Sequence, residues 1–144
     1  MSARILLAAP DPRALLFHQA FLTRQGYEVA FCSDGLNCSQ RLRHDPPDLL
    51  VLALELPWGR GEGVLALMAD GELPPVPVIL IAETTTPPRL AADSPVRSFV
   101  PWPAPPRLLA QSVRGVLLSN ALGRPSPEAD VVDDWTAAPV RPWA

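Results

Sequence analysis

The sequence predicts an α/β domain built on a parallel five-stranded sheet with helices on both faces. Three observations predict it. Short apolar runs alternate with segments of helical period along the first 118 residues. Four of these runs are separated by helical stretches, which implies parallel strands and right-handed crossovers. The run at residues 49–54 is wholly apolar, as in a strand covered on both faces.

The elements follow in order. Residues 4–9 read as a short buried strand. Asp11 can cap the helix behind it, with Pro12 at its first position, and Ala14, Phe17, His18, Phe21 and Leu22 recur at helical spacing until Gly26. Residues 27–32 alternate as a second strand, and Ser33-Asp34-Gly35 turns into a short helix carrying Leu36, Cys38 and Leu42, ended by Pro46-Pro47. Asp48, just before the third strand at residues 49–54, reads as a turn acid. A loop, ELPWGRG, then leads to a helix with Val64, Leu65, Leu67 and Met68. Residues 76–82 form a fourth buried strand. Pro87, Pro88 and Pro95 permit only a brief helix next, at about residues 88–92, so the fourth helix should be short or irregular. Residues 98–101 can be a fifth strand, and its flanking prolines favour a sheet edge. Pro105-Pro106 opens a last helix with Leu109, Ala110, Val113, Val116 and Leu117 in one stripe.

Composition excludes several functions. Net charge is −3 and no basic patch occurs, which argues against nucleic acid. No apolar run reaches the ~20 residues of a membrane helix, and the N-terminus lacks a secretory signal, so a soluble cytoplasmic protein is expected. Cys32 and Cys38 are expected to be buried thiols, and His18 and His44 form no metal-ligand cluster with them. All twelve basic residues other than histidine are arginine, so no lysine is available for a Schiff base or a phosphate contact. Sites in such sheets lie at the carboxyl ends of the strands. Here those are residues 8–10, 53–57, 82–84 and 101–103.

The stretches RILLAAPDP, QGYEVAFCSDG, PDLLVLALELPWGRGEGV, PVPVILIA and SFVPWPAPPRLLAQSVRGVL resemble, in order and spacing, a response-regulator receiver (CheY-like) domain over roughly residues 3–118. The resemblance implies a flavodoxin-like sheet of order 2-1-3-4-5 and a place in two-component, phosphorelay-type signal transduction. It also implies phosphorylation of an aspartate beside a bound divalent metal. The positions that chemistry needs are occupied otherwise. The acidic pair after the first strand is Ala9 and Pro10, and the phosphoacceptor is Ala53. The Ser/Thr after the fourth strand is Ala82, and the lysine before Pro103 is Trp102. Alanine offers no nucleophile, and magnesium requires carboxylate oxygens. The expectation is therefore a degenerate, stand-alone pseudo-receiver. It has no catalytic residue, metal or cofactor, and an apolar cleft over which Trp102 can fold. Asp11, Glu55 and Glu83 are read as a helix cap, a solvated loop acid and a turn residue.

Function then falls to protein–protein interaction, with Trp58, Pro101, Trp102 and Pro103 as candidate contacts. Trp58 at its loop tip must either pack back or anchor a partner. His18 reads as a core-edge histidine, and the glycines around WGRGEG as a tight turn, since the lysine of a phosphate loop is missing. Residues 119–144 form a proline-rich tail, expected to be flexible and too short for a DNA-binding domain. Val131, Trp135 and Trp143 are its apolar anchors among acids. A homodimer is implied by the resemblance alone. The alternative function is small-molecule sensing, with an apolar or anionic ligand held in the cleft beside Trp102.

Overall fold

The structure, a computed structural model, describes residues 3–58, 60–84, 89 and 94–121. Five parallel strands, β1 (Arg4–Ala8), β2 (Glu28–Cys32), β3 (Leu49–Ala53), β4 (Val78–Ala82) and β5 (Val96–Pro101), make one sheet in the order β2-β1-β3-β4-β5. Among the described residues four α-helices accompany it: α1 (Leu16–Arg24), α2 (Gly35–His44), α3 (Arg60–Ala69) and α4 (Pro106–Ala121). The expected class and strand order are observed. β5, with its prolines, is an edge strand.

Alternation along each strand divides the core between two faces. Leu6, Leu50, Leu52, Val78 and Leu80 pack with Cys38 and Leu42 of α2 and with Val64 and Met68 of α3. Ile5, Leu7, Val51, Ile79 and Ile81 pack on the other side with Leu22 of α1 and with Leu109, Val113 and Val116 of α4. Every residue of β3 and β4 is buried, as their unbroken apolar runs require. β2, at the edge, is only partly covered.

Several boundaries differ from the sequence reading, each for a local reason. The turn capped by Asp11 is a 3-10 helix (Pro12–Leu15), and α1 proper begins at Leu16. β4 starts at Val78, behind Pro74, Pro75 and Pro77, which have no N–H to give a ladder. β5 starts earlier, at Val96, with a register irregularity opposite Val78 and Ile79. α4 continues past residue 118 to Ala121.

Two helix faces were also misread. Phe17 is 81% exposed and Leu36 is 58% exposed, although both belong to the predicted apolar stripes. Each lies in the first turn of its helix, on the side turned away from the buried His18 and Gly35. Apart from Arg89, the brief helix expected at residues 88–92 lies outside the described residues, as do the tail anchors Val131, Trp135 and Trp143.

The two ends of the sheet are built differently. At the amino end Asp48 clasps β1: its carboxylate accepts from the Arg4 N–H at 2.7 Å, and its own N–H donates to the Arg4 carbonyl at 2.8 Å. The Arg4 guanidinium also pairs with Asp45. Asp48 is thus a strand clasp rather than only a turn acid. At the carboxyl end the strands finish on small residues, with Ala8 level with Leu52, Ala53 with Ile81, and Ala82 with Pro101. A cleft opens there.

Candidate functional site

Ala9, Pro10, Ala53, Ala82 and Trp102, singled out one by one from the sequence, all line this one cleft. β1, β3 and β4 deliver the first four at their ends, and Trp102 arrives from the turn after β5. Its N–H donates to the Ala82 carbonyl at 2.8 Å, which fixes the turn to the end of β4. Leu15 and Ile81 complete the apolar lining, and the cleft encloses about 210 Å³. Trp102 does not fill it. The indole is half-buried against His18, with ring centroids 4.6 Å apart and planes inclined by 38°, and the space beside it stays open.

His18 is buried, as the sequence suggested, but only half satisfied. Its Nε2 donates to the Ala104 carbonyl at 2.8 Å, whereas buried Nδ1 has no hydrogen-bond partner among the described residues. Burial lowers the imidazole pKa, and the Ala104 hydrogen bond opposes that shift in part. His18 therefore props Trp102 from α1, a contact that no local pattern announces.

Three carboxylates rim the cleft: Asp11, Glu55 and Glu83. Asp11 accepts from the Arg13 N–H at 3.1 Å, so it caps its turn as predicted. Glu55 is exposed, yet its Oε1 accepts from the Glu83 N–H at 3.4 Å and links the β3 and β4 loops. The sequence reading of Glu55 as merely solvated missed this link. These residues do not suit the metal that a receiver fold implies. Ala9 and Pro10 offer no side-chain oxygen, Asp11 is engaged in its cap, and no trio of ligating side chains is assembled among the described residues.

Trp58 is 75% exposed and does not pack back. Its backbone is nevertheless held firmly. Trp58 and Arg60 both adopt positive φ, at 65° and 61°, a region that L-residues enter only at a cost of ~1–3 kcal/mol each. The loop lies against the first turn of α2, where the Gly35 N–H donates to the Pro57 carbonyl at 2.7 Å. A Cβ on Gly35 would stand 2.1 Å from the Trp58 carbonyl oxygen, so only glycine permits the approach. Gly61 plays the same part under β3, where a Cβ would meet the Ala53 carbonyl oxygen at 2.8 Å. Pro101 is half-buried and Pro103 exposed, and the Trp102–Pro103 peptide is cis.

Elsewhere, Cys32 and Cys38 are buried free thiols. The Cys32 pKa is pushed up by its hydrogen bond with Cys38 and by burial. No described helix is long and apolar enough to cross a membrane.

By sequence, no family model and no curated protein matches the chain. By structure, the likeness is strong. The signal receiver domain of a putative LuxO repressor from Vibrio parahaemolyticus superposes with a TM-score of 0.73 at 21% identity, over 85% of this chain and 95% of that one. The signal receiver domain of an HD domain-containing protein from Pseudomonas fluorescens Pf-5 gives 0.71 at 23% identity, over 85% and 99%. The receiver domain of sensor histidine kinase PA1611 from Pseudomonas aeruginosa PAO1, which has magnesium coordinated in its active-site cleft, gives 0.69 at 19% identity, over 83% and 100%. A chain with no sequence match thus carries the flavodoxin-like fold of response-regulator receiver domains.

Proposed function

We propose that this protein is a receiver-like signalling module that cannot be phosphorylated and acts through protein–protein contact. One observation carries the reading: the five positions where a receiver would place its phosphorylation chemistry converge on a single cleft, and none of the five carries a carboxylate, a hydroxyl or an ammonium group. A methyl at Ala53 cannot accept a phosphoryl group. What remains is surface. Trp58, presented on a constrained backbone, and the Pro101–Trp102–Pro103 turn are the contacts on which a partner would close. The reading makes the protein a binding module rather than an enzyme, resident in the cytoplasm with other signalling proteins.

The test has two arms. Acetyl phosphate or beryllofluoride, each with magnesium, should leave the NMR resonances of Ala53, Ala82 and Trp102 in place. Saturable shifts at those residues overturn the loss of phosphorylation. A partner captured by the intact protein should be lost with Trp58→Ala or Trp102→Ala, and equal capture by both variants rejects these contacts.

A second reading, small-molecule sensing, is favoured by one feature. The cleft is open rather than filled, and its 210 Å³ exceeds the ~150 Å³ of an apolar cavity able to hold benzene.

A further inference from the structure

We propose that the cleft at the carboxyl end of the sheet is a binding site for a small organic ammonium ion, an amine on an apolar body of about one aromatic ring. This proposal rests on the sensing reading and adds the chemical class of the ligand. Its floor is made of the Ala9, Ala53 and Ala82 methyl groups and Ile81, surfaces that favour burial of a hydrocarbon. Trp102 stands beside the floor, supported by His18, and the electron-rich face of an indole attracts a cation.

Charge then decides among ligands. The described ionisable residues lining the cleft are Asp11, Glu55 and Glu83, and no described lining residue is basic. Arg13 pairs with Asp11 at 3.6 Å, with both side chains exposed. Glu55 is oriented across the opening by the Glu83 N–H. An anionic ligand, which the sequence left open, would face three carboxylates, of which only Asp11 is paired with a described cation. A bare divalent ion is also a poor occupant, because the carboxylates surround an apolar floor and form no ligand trio among the described residues. An ammonium group carried by a hydrocarbon satisfies both features, its charge at the rim and its body on the methyl floor.

The probes are benzylammonium, benzyl alcohol and benzoate, matched in shape and differing in charge. Each is titrated into the full-length protein and followed by the Ala53 and Ala82 amides and the Trp102 indole N–H. Benzylammonium should shift these resonances saturably and bind at least about threefold tighter than the alcohol, with benzoate weakest. Raised salt should weaken the ammonium and spare the alcohol. Glu55→Gln keeps an acceptor for the Glu83 N–H and should lower ammonium affinity about threefold with no effect on the alcohol. Ala53→Leu, which occupies the floor, should abolish both. Equal affinity for ammonium and alcohol overturns the ligand class and leaves sensing intact. No cleft shift with any probe overturns both, as do shifts confined to other surfaces.

Discussion

Gly35→Ala is the sharpest perturbation this structure offers, because the contact it disturbs is backbone on backbone. The new Cβ would lie 2.1 Å from the Trp58 carbonyl oxygen and 3.2 Å from that of Pro57. Ordinary carbon–oxygen contacts begin at roughly 3.3 Å, so the loop must retreat by ~1.2 Å. No side-chain rotation can relieve the clash. Retreat on that scale takes the 2.7 Å Gly35–Pro57 hydrogen bond out of range. The lost bond costs about 1 kcal/mol and the overpacking about 1–3 kcal/mol. Reduced freedom of the unfolded chain returns ~0.4–1 kcal/mol. The net loss is about 1–3.6 kcal/mol, a large part of the ~5–15 kcal/mol that holds a typical domain together. Urea unfolding followed by circular dichroism should show it as a lower midpoint at unchanged slope. The Trp58 indole resonance should move as well. An unchanged midpoint and an unmoved Trp58 would refute the claim that α2 fixes the backbone from which this tryptophan projects.

Two further outcomes follow from buried polar groups. His18 is held neutral by burial, so its folded-state pKa lies below the unfolded value of ~6.5. The unfolded chain takes up the proton first as pH falls. The contribution of neutral His18 is thus complete above about pH 6.5 and declines as pH falls through the folded-state pKa. Unfolding midpoints measured across that range should slope less in His18→Leu than in the parent, and parallel slopes would contradict this. Ser112 donates to Ser98 at 2.7 Å, both buried between α4 and β5. Ser112→Ala strands the Ser98 hydroxyl and should cost ~1–3 kcal/mol, and adding Ser98→Ala should recover part of that loss in denaturant titrations.

Much of the fold was readable in the sequence because its signals are local. Unbroken apolar runs identify the central strands β3 and β4, and flanking prolines place β5 at an edge. The convergence of Ala9, Pro10, Ala53, Ala82 and Trp102 also followed from the resemblance, since strand ends in a parallel sheet must meet. The features that were not readable depend on residues distant in the chain. Helical period cannot say that Phe17 and Leu36, in the first turns of their helices, are left exposed. The stacking of His18 on Trp102, the Glu55–Glu83 link and the Asp48 clasp are set by strand order, not by neighbours in sequence. The constraint on Gly35 is likewise invisible until the β3–α3 loop is laid across α2.

The division of the core into two faces gives each half its own natural reporter. The protein has two cysteines, and both belong to the half packed under α2 and α3. His18 occupies the half under α1 and α4, beside Ala104. Alkylation of the thiols therefore times the opening of one layer, while imidazole titration follows the other. If the layers come apart together, both clocks keep the same rate. If α1 and α4 peel away first, the histidine is freed while the thiols are still sealed, and the order of disassembly can be followed without adding a label.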